Sequence, residues 1–415
     1  MSAFCAALTI WSGGCGPRIE EASSARSGSA TAAVEVGLDR VAAGEVKELE
    51  GKKLGLIVHA ASVTLDGRSA VAVFRERGLD LVRLYGPEHG RRSVAAAGEA
   101  VADEVDRESG LPVISLYPGG PDRPSAEDFA GLDAVVFDLQ DAGVRFYTYA
   151  ALMLRCLDAA AEGGVELVVL DRPNPLGGRR MSGPFRGPDG EVRPSLVNLL
   201  PGPLIHGLTM GEMARWANER KERPARLSVV PMRGWRREMT WADTGRTWVP
   251  PSPNLRSADA ALAYPGIALL EASNVSEGRG TVAPFLRFGA PWIDPAAARI
   301  EAPGFRLTPA RFTPEASPAA PEPKYLGEPC EGFEVEVVDR RAADPFGLGV
   351  ATILALRADP RFEWRRGGEA LDWLVGTTAL RRKLESARSL EEVVALDGER
   401  RAEWRRDIAP LLLYD

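Results

Sequence analysis

The sequence predicts an α/β protein whose parallel sheet is covered by helices on both faces. Short apolar segments of strand length, such as residues 134–138 and 166–170, alternate with segments that have the apolar spacing of helices. These strand segments are almost continuously apolar, as in strands that are buried on both faces. Such sheets place their ligand sites beyond the carboxyl ends of the strands. We therefore look for functional residues where the predicted strands end.

The predicted elements follow one another along the chain. Strands are predicted at residues 53–58, 79–85, 112–117, 134–138 and 166–170, and helices at residues 68–77, 145–162 and 209–221. One stripe that contains Tyr149, Met153 and Cys156 indicates the second of these helices. Thr209 and Glu212 have the spacing of a capping box at the start of the third. The second half contributes a predicted strand at 333–338 and helices at 346–357, 370–375, 378–385 and 390–404.

The chain length and one rigid string suggest the domain organisation. A chain of 415 residues corresponds to two or three domains. The string Pro250-Pro-Ser-Pro-Asn254 is a rigid break between two patterned regions. We expect a leader and flexible tether at 1–33, an N-terminal sheet domain at 34–252 and a smaller C-terminal α+β domain at 253–415.

Composition excludes several classes of function. Lys and Arg number 51 against 58 Asp and Glu, so the net charge is −7 and nucleic acid is not an expected partner. The four cysteines are scattered along the chain and there are three histidines, so we expect neither a disulfide scaffold nor a metal site. No strand is followed by a Gly-x-Gly-x-x-Gly or Walker string, so we expect no nucleotide cofactor. No apolar stretch is long enough for a transmembrane helix.

The N-terminus has features of an export signal. Residues 2–11 are mostly apolar and are followed by Ser12-Gly-Gly-Cys15, a string that resembles a bacterial lipobox. No basic residue precedes the apolar run, and Ser12 stands where Leu is usual. Residues 19–33 are rich in Ser, Ala and Gly, as in a flexible tether. We expect an exported, periplasmic or membrane-anchored protein with a lipid anchor at Cys15; a disordered leader is the alternative.

Polar motifs follow three of the predicted strands. Glu88 and His89 lie in a turn between Pro87 and Gly90, where a carboxylate can act as acid or base or simply occupy a loop. A second motif, after strand 134–138, combines two acids with amide, guanidinium and phenol groups that suit sugar hydroxyls, although one acid can instead cap the helix. Its members are Asp138, Gln140, Asp141, Arg145 and Tyr147.

Two further motifs are candidates for ligand contacts. Asp171 and Asn174 begin a long loop, rich in Gly and Pro, that reaches His206, and long loops within compact domains are commonly functional. In the Gly-rich string 276–281, Glu277 and Arg279 are separated by one glycine, and Arg279 can bind a carboxylate with two parallel hydrogen bonds. A structural histidine and a surface ion pair are the alternative interpretations of these motifs.

The same motifs, taken in order, resemble those of the NamZ-type (YbbC-like) exo-β-N-acetylmuramidases of bacterial cell-wall recycling. The resemblance extends from about residue 55 to Tyr414. It is carried by Gly86-Pro-Glu-His-Gly90, Leu116-Tyr117, the segment from Phe137 to Tyr149, Val169 to Pro175, His206 to Thr209, Gly211-Glu212, Pro251 to Asn254, Tyr264-Pro-Gly266 and Ser276 to Thr281.

The resemblance implies a Rossmann-like domain, a smaller C-terminal domain, and an active-site cleft between them. It implies release of N-acetylmuramic acid from the non-reducing ends of peptidoglycan fragments, with Glu88 as the catalytic acid. Glu277, Asp138 and Asp141 are candidates for a second carboxylate, and both stereochemical outcomes and assistance by the N-acetyl group stay open. Predicted substrate contacts are His89, Gln140, Arg145, Tyr147, Asp171, Asn174, His206, Asn254 and Arg279.

One position departs from the family pattern. The first strand of the family ends in a Thr-Asn pair, whereas this chain has His59 in place of the Asn. A changed sugar preference or rate is expected if that position touches the substrate. A cell-wall sugar-binding lipoprotein without turnover is the alternative function. A nucleotide-dependent oxidoreductase is disfavoured because the phosphate-binding glycines are missing.

Overall fold

A seven-stranded, mostly parallel sheet organises the N-terminal half of the computed structural model, which describes residues 32–117 and 124–415. The strands in chain order are β1 Leu54–Val58, β2 Leu81–Gly86, β3 Glu104–Val105, β4 Pro112–Ser115, β5 Ala134–Asp138, β6 Glu166–Leu170, β7 Ser182–Phe185, β8 Pro203–Ile205, β9 Leu227–Val230, β10 Arg287–Ala290, β11 Phe305–Phe312 and β12 Cys330–Val337. The order in the seven-stranded sheet is β3-β4-β2-β1-β5-β6-β9, and among these described strands only the short edge strand β3 is antiparallel to its neighbour. The predicted α/β fold class is confirmed.

Helices cover both faces of this sheet and build much of the second half. They are α1 Gly37–Ala42, α2 Ala70–Glu76, α3 Tyr149–Gly163, α4 Met210–Glu219, α5 Ala258–Ile267, α6 Pro345–Leu356, α7 Glu369–Val375, α8 Ala379–Ser386, α9 Leu390–Val394 and α10 Gly398–Ile408. The predicted capping box is present, since the Thr209 hydroxyl accepts from Glu212 N at 3.2 Å. Within the described residues, no helix is both long and apolar enough to cross a bilayer.

Side chains of the central strands alternate between two apolar clusters. Leu56 and Val136 pack with α1 and α2, whereas Ile57 and Phe137 pack on the other face with α3 and α4. Burial on both faces explains the almost continuous apolar runs of β1, β5 and β6. The second cluster continues into the C-terminal half, around the antiparallel sheet β10-β12-β11. The proposed boundary at residue 252 lies within a continuous core and stays a prediction.

The chain order of the sheet fixes where a ligand crevice can form. From β1 the chain proceeds through β2 to β4 on one side, and then through β5, β6 and β9 on the other. The crevice of a doubly wound sheet lies at this reversal, outside the carboxyl ends of the strands. His59 follows β1, Glu88 follows β2 and Asp138 ends β5. These three residues therefore lie at the same edge of the sheet.

Two predicted helices differ from the structure. The helix predicted at 145–162 begins at Tyr149, because the preceding residues pair with β8: Arg145 N donates to Leu204 O at 2.8 Å. The helix predicted at 390–404 is broken between α9 and α10. Asp397 adopts a φ of 61° there, and its carboxylate accepts from Phe185 N at 2.9 Å. In both cases a contact with a distant segment overrides the local helical pattern.

Candidate active site

A cavity of about 670 Å³ lies beside the carboxyl ends of the strands and is lined from both halves of the chain. Its walls include Glu88 and Thr148 from the first half, and Arg279, Phe285 and Trp373 from the second. The volume falls within the range of about 300–1,000 Å³ that is typical of small-molecule sites. Apolar rings and a few charged groups line it together, as in a site that orients a polar ligand.

Glu88 is held rigidly at this cavity. Its Oε1 accepts from Gly98 N at 2.8 Å, and its Oε2 accepts from the Thr148 hydroxyl at 2.6 Å. Burial together with the charge of Glu88 raises the pKa of Tyr117, which also lines the cavity, to about 12. Two hydrogen bonds therefore orient the carboxyl of Glu88, whose residue forms part of the cavity wall.

His89 enters the cavity wall as a neutral imidazole. Its Nδ1 lies 2.8 Å from Ala95 O, which assigns the proton to Nδ1 and leaves Nε2 as an acceptor. Burial lowers the pKa of His89 although the charge of Glu88 opposes the shift. Near neutral pH, His89 therefore offers hydrogen-bonding capacity without a second charge beside Glu88.

His59 lies behind the cavity and is not among the residues that line it. Its Nε2 accepts from Gln140 N at 2.8 Å, and its Nδ1 lies 3.3 Å from the Tyr149 hydroxyl. That hydroxyl is 3.4 Å from Glu88 O. Burial and the charge of Arg172 lower the pKa of His59 to about 3, so it is neutral under physiological conditions. His59 is thus a neutral packing residue beneath the Glu88 turn.

Arg279 is anchored by two carboxylates at the opposite wall. Its Nη2 lies 2.9 Å from Glu271 Oε1 and its Nε lies 3.3 Å from Glu277 Oε1. The guanidinium also stacks 5.1 Å from the centre of the Phe285 ring. Gly278 has a φ of 81°, and a Cβ there would lie 2.4 Å from Arg287 O, so the turn that presents Arg279 requires glycine.

Glu277 positions Arg279 and is not itself among the residues that line the cavity. It is buried, and its second oxygen lies 3.1 Å from the Lys324 ammonium. Burial raises the pKa of Glu277, but the two cations outweigh this effect and hold the pKa below its usual value. A permanently ionised carboxylate between two cations suits an anchor better than a proton-transferring group.

The structure places the other two candidate carboxylates in buried networks away from the cavity. Asp138 accepts two hydrogen bonds from Arg172, at 2.6 and 2.9 Å. Asp141 accepts from Gly143 N at 2.7 Å and lies 3.5 Å from His206 Nε2. Neither acid is part of the cavity wall. Both join the sheet edge to the loops above it.

Several predicted substrate contacts are likewise occupied by the protein itself. The Arg145 guanidinium donates to three carbonyls, those of Pro184, Gly202 and Val375, and reaches neither the cavity nor an acidic partner among the described residues. The side chains of three further predicted contacts donate to backbone carbonyls: Gln140 to Asp141 and Pro173, Asn174 to Leu208, and Asn254 to Ala319. His206 is fully buried, lies outside the cavity wall, and accepts from Leu208 N through its Nδ1 at 3.1 Å. Glu88, His89, Tyr147 and Arg279 are the predicted site residues that the structure brings together at the cavity.

Comparison with known proteins assigns the family. The N-terminal domain of the exo-β-N-acetylmuramidase NamZ matches residues 54–259, and its C-terminal domain matches residues 262–414. The chain belongs to the NamZ family. It is 37% identical to the peptidoglycan β-N-acetylmuramidase NamZ of Bacillus subtilis over 369 residues, which cover 87% of this chain and 86% of that protein. The resemblance inferred from the motifs is thereby confirmed.

Solved structures of similar proteins share the fold. Two proteins of the DUF1343 family from Bacteroides fragilis are 30% and 27% identical to this chain, with TM-scores of 0.80 and 0.74. Each alignment covers 92% of this chain and 99% of the other. The two-part architecture of this NamZ-family chain is therefore shared along almost the whole sequence.

Asp171, a predicted substrate contact, instead fastens the C-terminus of this NamZ-family chain to the sheet. It is fully buried and accepts from the hydroxyls of Thr209 and Tyr414, at 2.7 and 2.6 Å. The Tyr414 hydroxyl also accepts from Met232 N at 2.9 Å. Burial raises the pKa of Asp171 to about 6 despite these donors. Tyr414 therefore has a structural role in this contact.

Replacing Tyr414 by Phe should destabilise the fold in a pH-dependent way. Because the folded pKa of Asp171 lies above its unfolded value, its contribution to stability is present below about pH 4 and is lost as pH rises through 6. Loss of the Tyr414 donor raises that pKa further, so the deficit should be about 1–3 kcal/mol at pH 8 and smaller at pH 5. Urea unfolding at both pH values measures it. Tyr325→Phe, which removes a bond to the neutral Asn274 carbonyl, is the control; an equal pH dependence in both variants would contradict this account.

Sequence reasoning missed several residues that line the cavity. Glu271 is the clearest case, since it and Glu88 are the carboxylates in the described part of the cavity wall. It lies in the short 3-10 helix Ala268–Ala272, where apolar neighbours conceal a single acid. Thr148 and Trp373 are also in the wall, and neither stands in a conspicuous motif. In the described residues, no group of three or more His, Cys, Asp or Glu side chains is arranged to hold a metal ion.

Proposed function

We propose that this chain is an exo-acting glycoside hydrolase that releases N-acetylmuramic acid from the non-reducing ends of peptidoglycan fragments. The observation that carries the proposal is Glu88, a carboxyl oriented by two donors in the wall of a cavity of about 670 Å³, in a chain of the NamZ family. The relative from Bacillus subtilis is named for activity on peptidoglycan. That relationship favours turnover over a purely binding role.

In the proposed reaction, Glu88 protonates the glycosidic oxygen as the bond to the sugar breaks. The leaving hydroxyl of a second sugar is a poor leaving group without a proton, so the step requires a positioned acid. Gly98 N and the Thr148 hydroxyl fix the direction of the carboxyl toward one side of the sugar. The neutral His89 accepts a hydrogen bond from a substrate hydroxyl.

The second role in the reaction belongs either to Glu271 or to the N-acetyl group of the substrate. Glu271 lines the cavity, and its Oε1 lies 2.9 Å from Arg279 Nη2. The buried Tyr147 hydroxyl also lies in the wall, without a hydrogen-bond partner of good geometry among the described residues. A substrate acetamido group would satisfy that hydroxyl and be held in place by it. Trapping of a covalent glycosyl-enzyme with a fluorinated muramide would assign the role to Glu271, and isolation of an oxazoline product would assign it to the acetamido group.

The proposed function is tested by the product formed from defined substrates. Incubation with the disaccharide N-acetylmuramyl-N-acetylglucosamine should release free N-acetylmuramic acid, detected by mass spectrometry, without any added metal or nucleotide. The reversed disaccharide, which has N-acetylglucosamine at its non-reducing end, should stay intact. Binding of the first disaccharide without product release would favour the sugar-binding alternative.

We also propose export and lipid attachment at Cys15, which lies outside the described residues. Support comes from the apolar run at 2–11, the small residues before Cys15 and the Gly- and Ser-rich segment that follows. In a bacterial host, Cys15→Ser should abolish labelling by radioactive palmitate and move the protein from the membrane fraction to the soluble fraction. Cys5→Ser is the matched control, because it changes a thiol within the same leader. Labelling that survives Cys15→Ser would contradict the anchor.

A further inference from the structure

A second pocket of about 400 Å³ opens directly beside the catalytic cavity. The two share Glu271, Trp373 and Leu374 in their walls, and Arg365 and Arg366 line only the outer one. The predicted active-site motifs include none of these residues. A substrate that extends beyond the catalytic cavity therefore meets a formed surface as it crosses this shared wall.

The outer pocket combines the aromatic surface of Trp373 with two arginines, Arg365 and Arg366, and two carboxylates, Glu271 and Glu369. Trp373 is 48% exposed, which is unusual for so large an apolar side chain. Arg365 donates to Glu271 O at 3.1 Å, and within the described residues neither Arg365 nor Arg366 has a carboxylate within ion-pairing distance. An indole face binds the apolar faces of sugar rings, and unpaired guanidinium groups bind carboxylates.

The structure holds these groups firmly in place. Asp372, next to Trp373, accepts hydrogen bonds from Arg381 at 2.8–3.1 Å, and Trp373 O accepts from Asn198 Nδ2 at 2.9 Å. Arg366 has a φ of 52° and a ψ of 38°, the left-handed conformation that disfavours a side chain. The two residues that follow Arg366 also have positive φ angles, but both are glycines, which adopt such angles at little conformational cost. Strained side-chain positions of this kind cluster at ligand sites.

We propose that the outer pocket binds the glycan chain beyond the terminal sugar. This inference rests on the proposed function, because it places N-acetylmuramic acid in the catalytic cavity and the leaving part of the chain over Trp373. The next muramoyl unit along a peptide-free chain carries a lactyl carboxylate, and Arg366 binds that anion. The enzyme therefore prefers long glycan fragments to a disaccharide or a simple aryl muramide.

The test compares a peptide-free tetrasaccharide, with N-acetylmuramic acid at its non-reducing end, with an aryl β-N-acetylmuramide. Trp373→Ala and Arg366→Gly should each lower the ratio of kcat/KM for the tetrasaccharide to that for the aryl substrate by about 10-fold. Arg366→Gly removes the side chain without a backbone penalty, so thermal stability should be retained. Arg388→Ala, at an exposed arginine outside both pockets, is the control and should leave the ratio unchanged.

Binding measurements distinguish a failure of this inference from a failure of the proposed function. In Glu88→Gln, which should hold the tetrasaccharide uncut, adding Trp373→Ala or Arg366→Gly should weaken calorimetric binding by the same factor of about 10. Unchanged binding and an unchanged ratio would overturn the inference. Equal loss on both substrates would also overturn it, since Trp373 would then shape only the catalytic cavity. A disaccharide with a peptide on its lactyl group serves as a further substrate. If the variants lose activity only on that substrate, the pocket binds the peptide and the inference is overturned. If the unmodified chain binds the tetrasaccharide tightly but does not hydrolyse it, and the variants weaken that binding, the proposed function is refuted and the binding role of the outer pocket is supported.

Discussion

Glu88→Gln should reduce kcat/KM on N-acetylmuramyl-N-acetylglucosamine by about 10²–10⁴-fold, the range that general acid catalysis contributes. Glutamine preserves the shape of the side chain: its amide oxygen can still accept from Gly98 N, and its NH2 group can donate to the Thr148 hydroxyl oxygen. It has no acidic proton to transfer to the glycosidic oxygen. The loss should therefore be chemical, with little change in the affinity for the substrate.

The leaving group shows whether Glu88 acts as the acid. A dinitrophenolate leaves without protonation, so Glu88→Gln should lose far less activity on a dinitrophenyl muramide than on the disaccharide. Glu99→Gln is the matched control, since Glu99 is exposed on the same loop and lies outside the cavity. An equally large loss on both substrates would mean that Glu88 acts as nucleophile or base. Near-normal turnover of the disaccharide would remove Glu88 from the catalytic step.

The strands of the main sheet could be predicted because burial on both faces imposes a simple pattern. β5 and β6 are apolar at almost every position, and no competing helical interpretation fits segments so short. β11 was missed for the opposite reason. It forms an edge of the three-stranded sheet, most of its residues are partly or fully exposed, and it contains Pro309. Edge strands tolerate polar residues and proline, so their sequence carries little of the strand pattern.

The site was predictable only where a single local segment defines it. Glu88 follows a strand and lies in a turn bounded by Pro87 and Gly90, features that are local in sequence. The pairing of Asp138 with Arg172 joins residues 34 positions apart, and Arg145 meets carbonyls from three separate segments. A motif of charged residues shows which groups are present, but tertiary contacts decide which of them the protein neutralises internally. This explains why Asp138 and Asp141 lie outside the cavity wall, although Tyr147 of the same motif lies in it.

Arg279→Ala should impair hydrolysis of a β-N-acetylmuramide far more than hydrolysis of the corresponding glucosaminide. The two sugars differ by the lactyl ether, which ends in a carboxylate, and Arg279 is a cation in the cavity wall. Its two carboxylate partners raise the pKa of Arg279, so the guanidinium keeps its charge at any working pH. A charge-assisted hydrogen bond contributes roughly 1.5–3 kcal/mol, which corresponds to about 10–150-fold in kcat/KM.

The ratio between the two substrates distinguishes recognition from a purely structural effect. Loss of Arg279 leaves buried Glu277 with Lys324 as its remaining cationic partner, so some loss of stability is expected in any case. That loss lowers the activity on both sugars equally, whereas recognition of the lactyl group lowers only one. Arg279→Lys is the matched variant, because it keeps the charge but loses the planar fork, and it should recover part of the discrimination. If both sugars lose activity to the same degree in Arg279→Ala, Arg279 holds the loop and the lactyl group is recognised elsewhere.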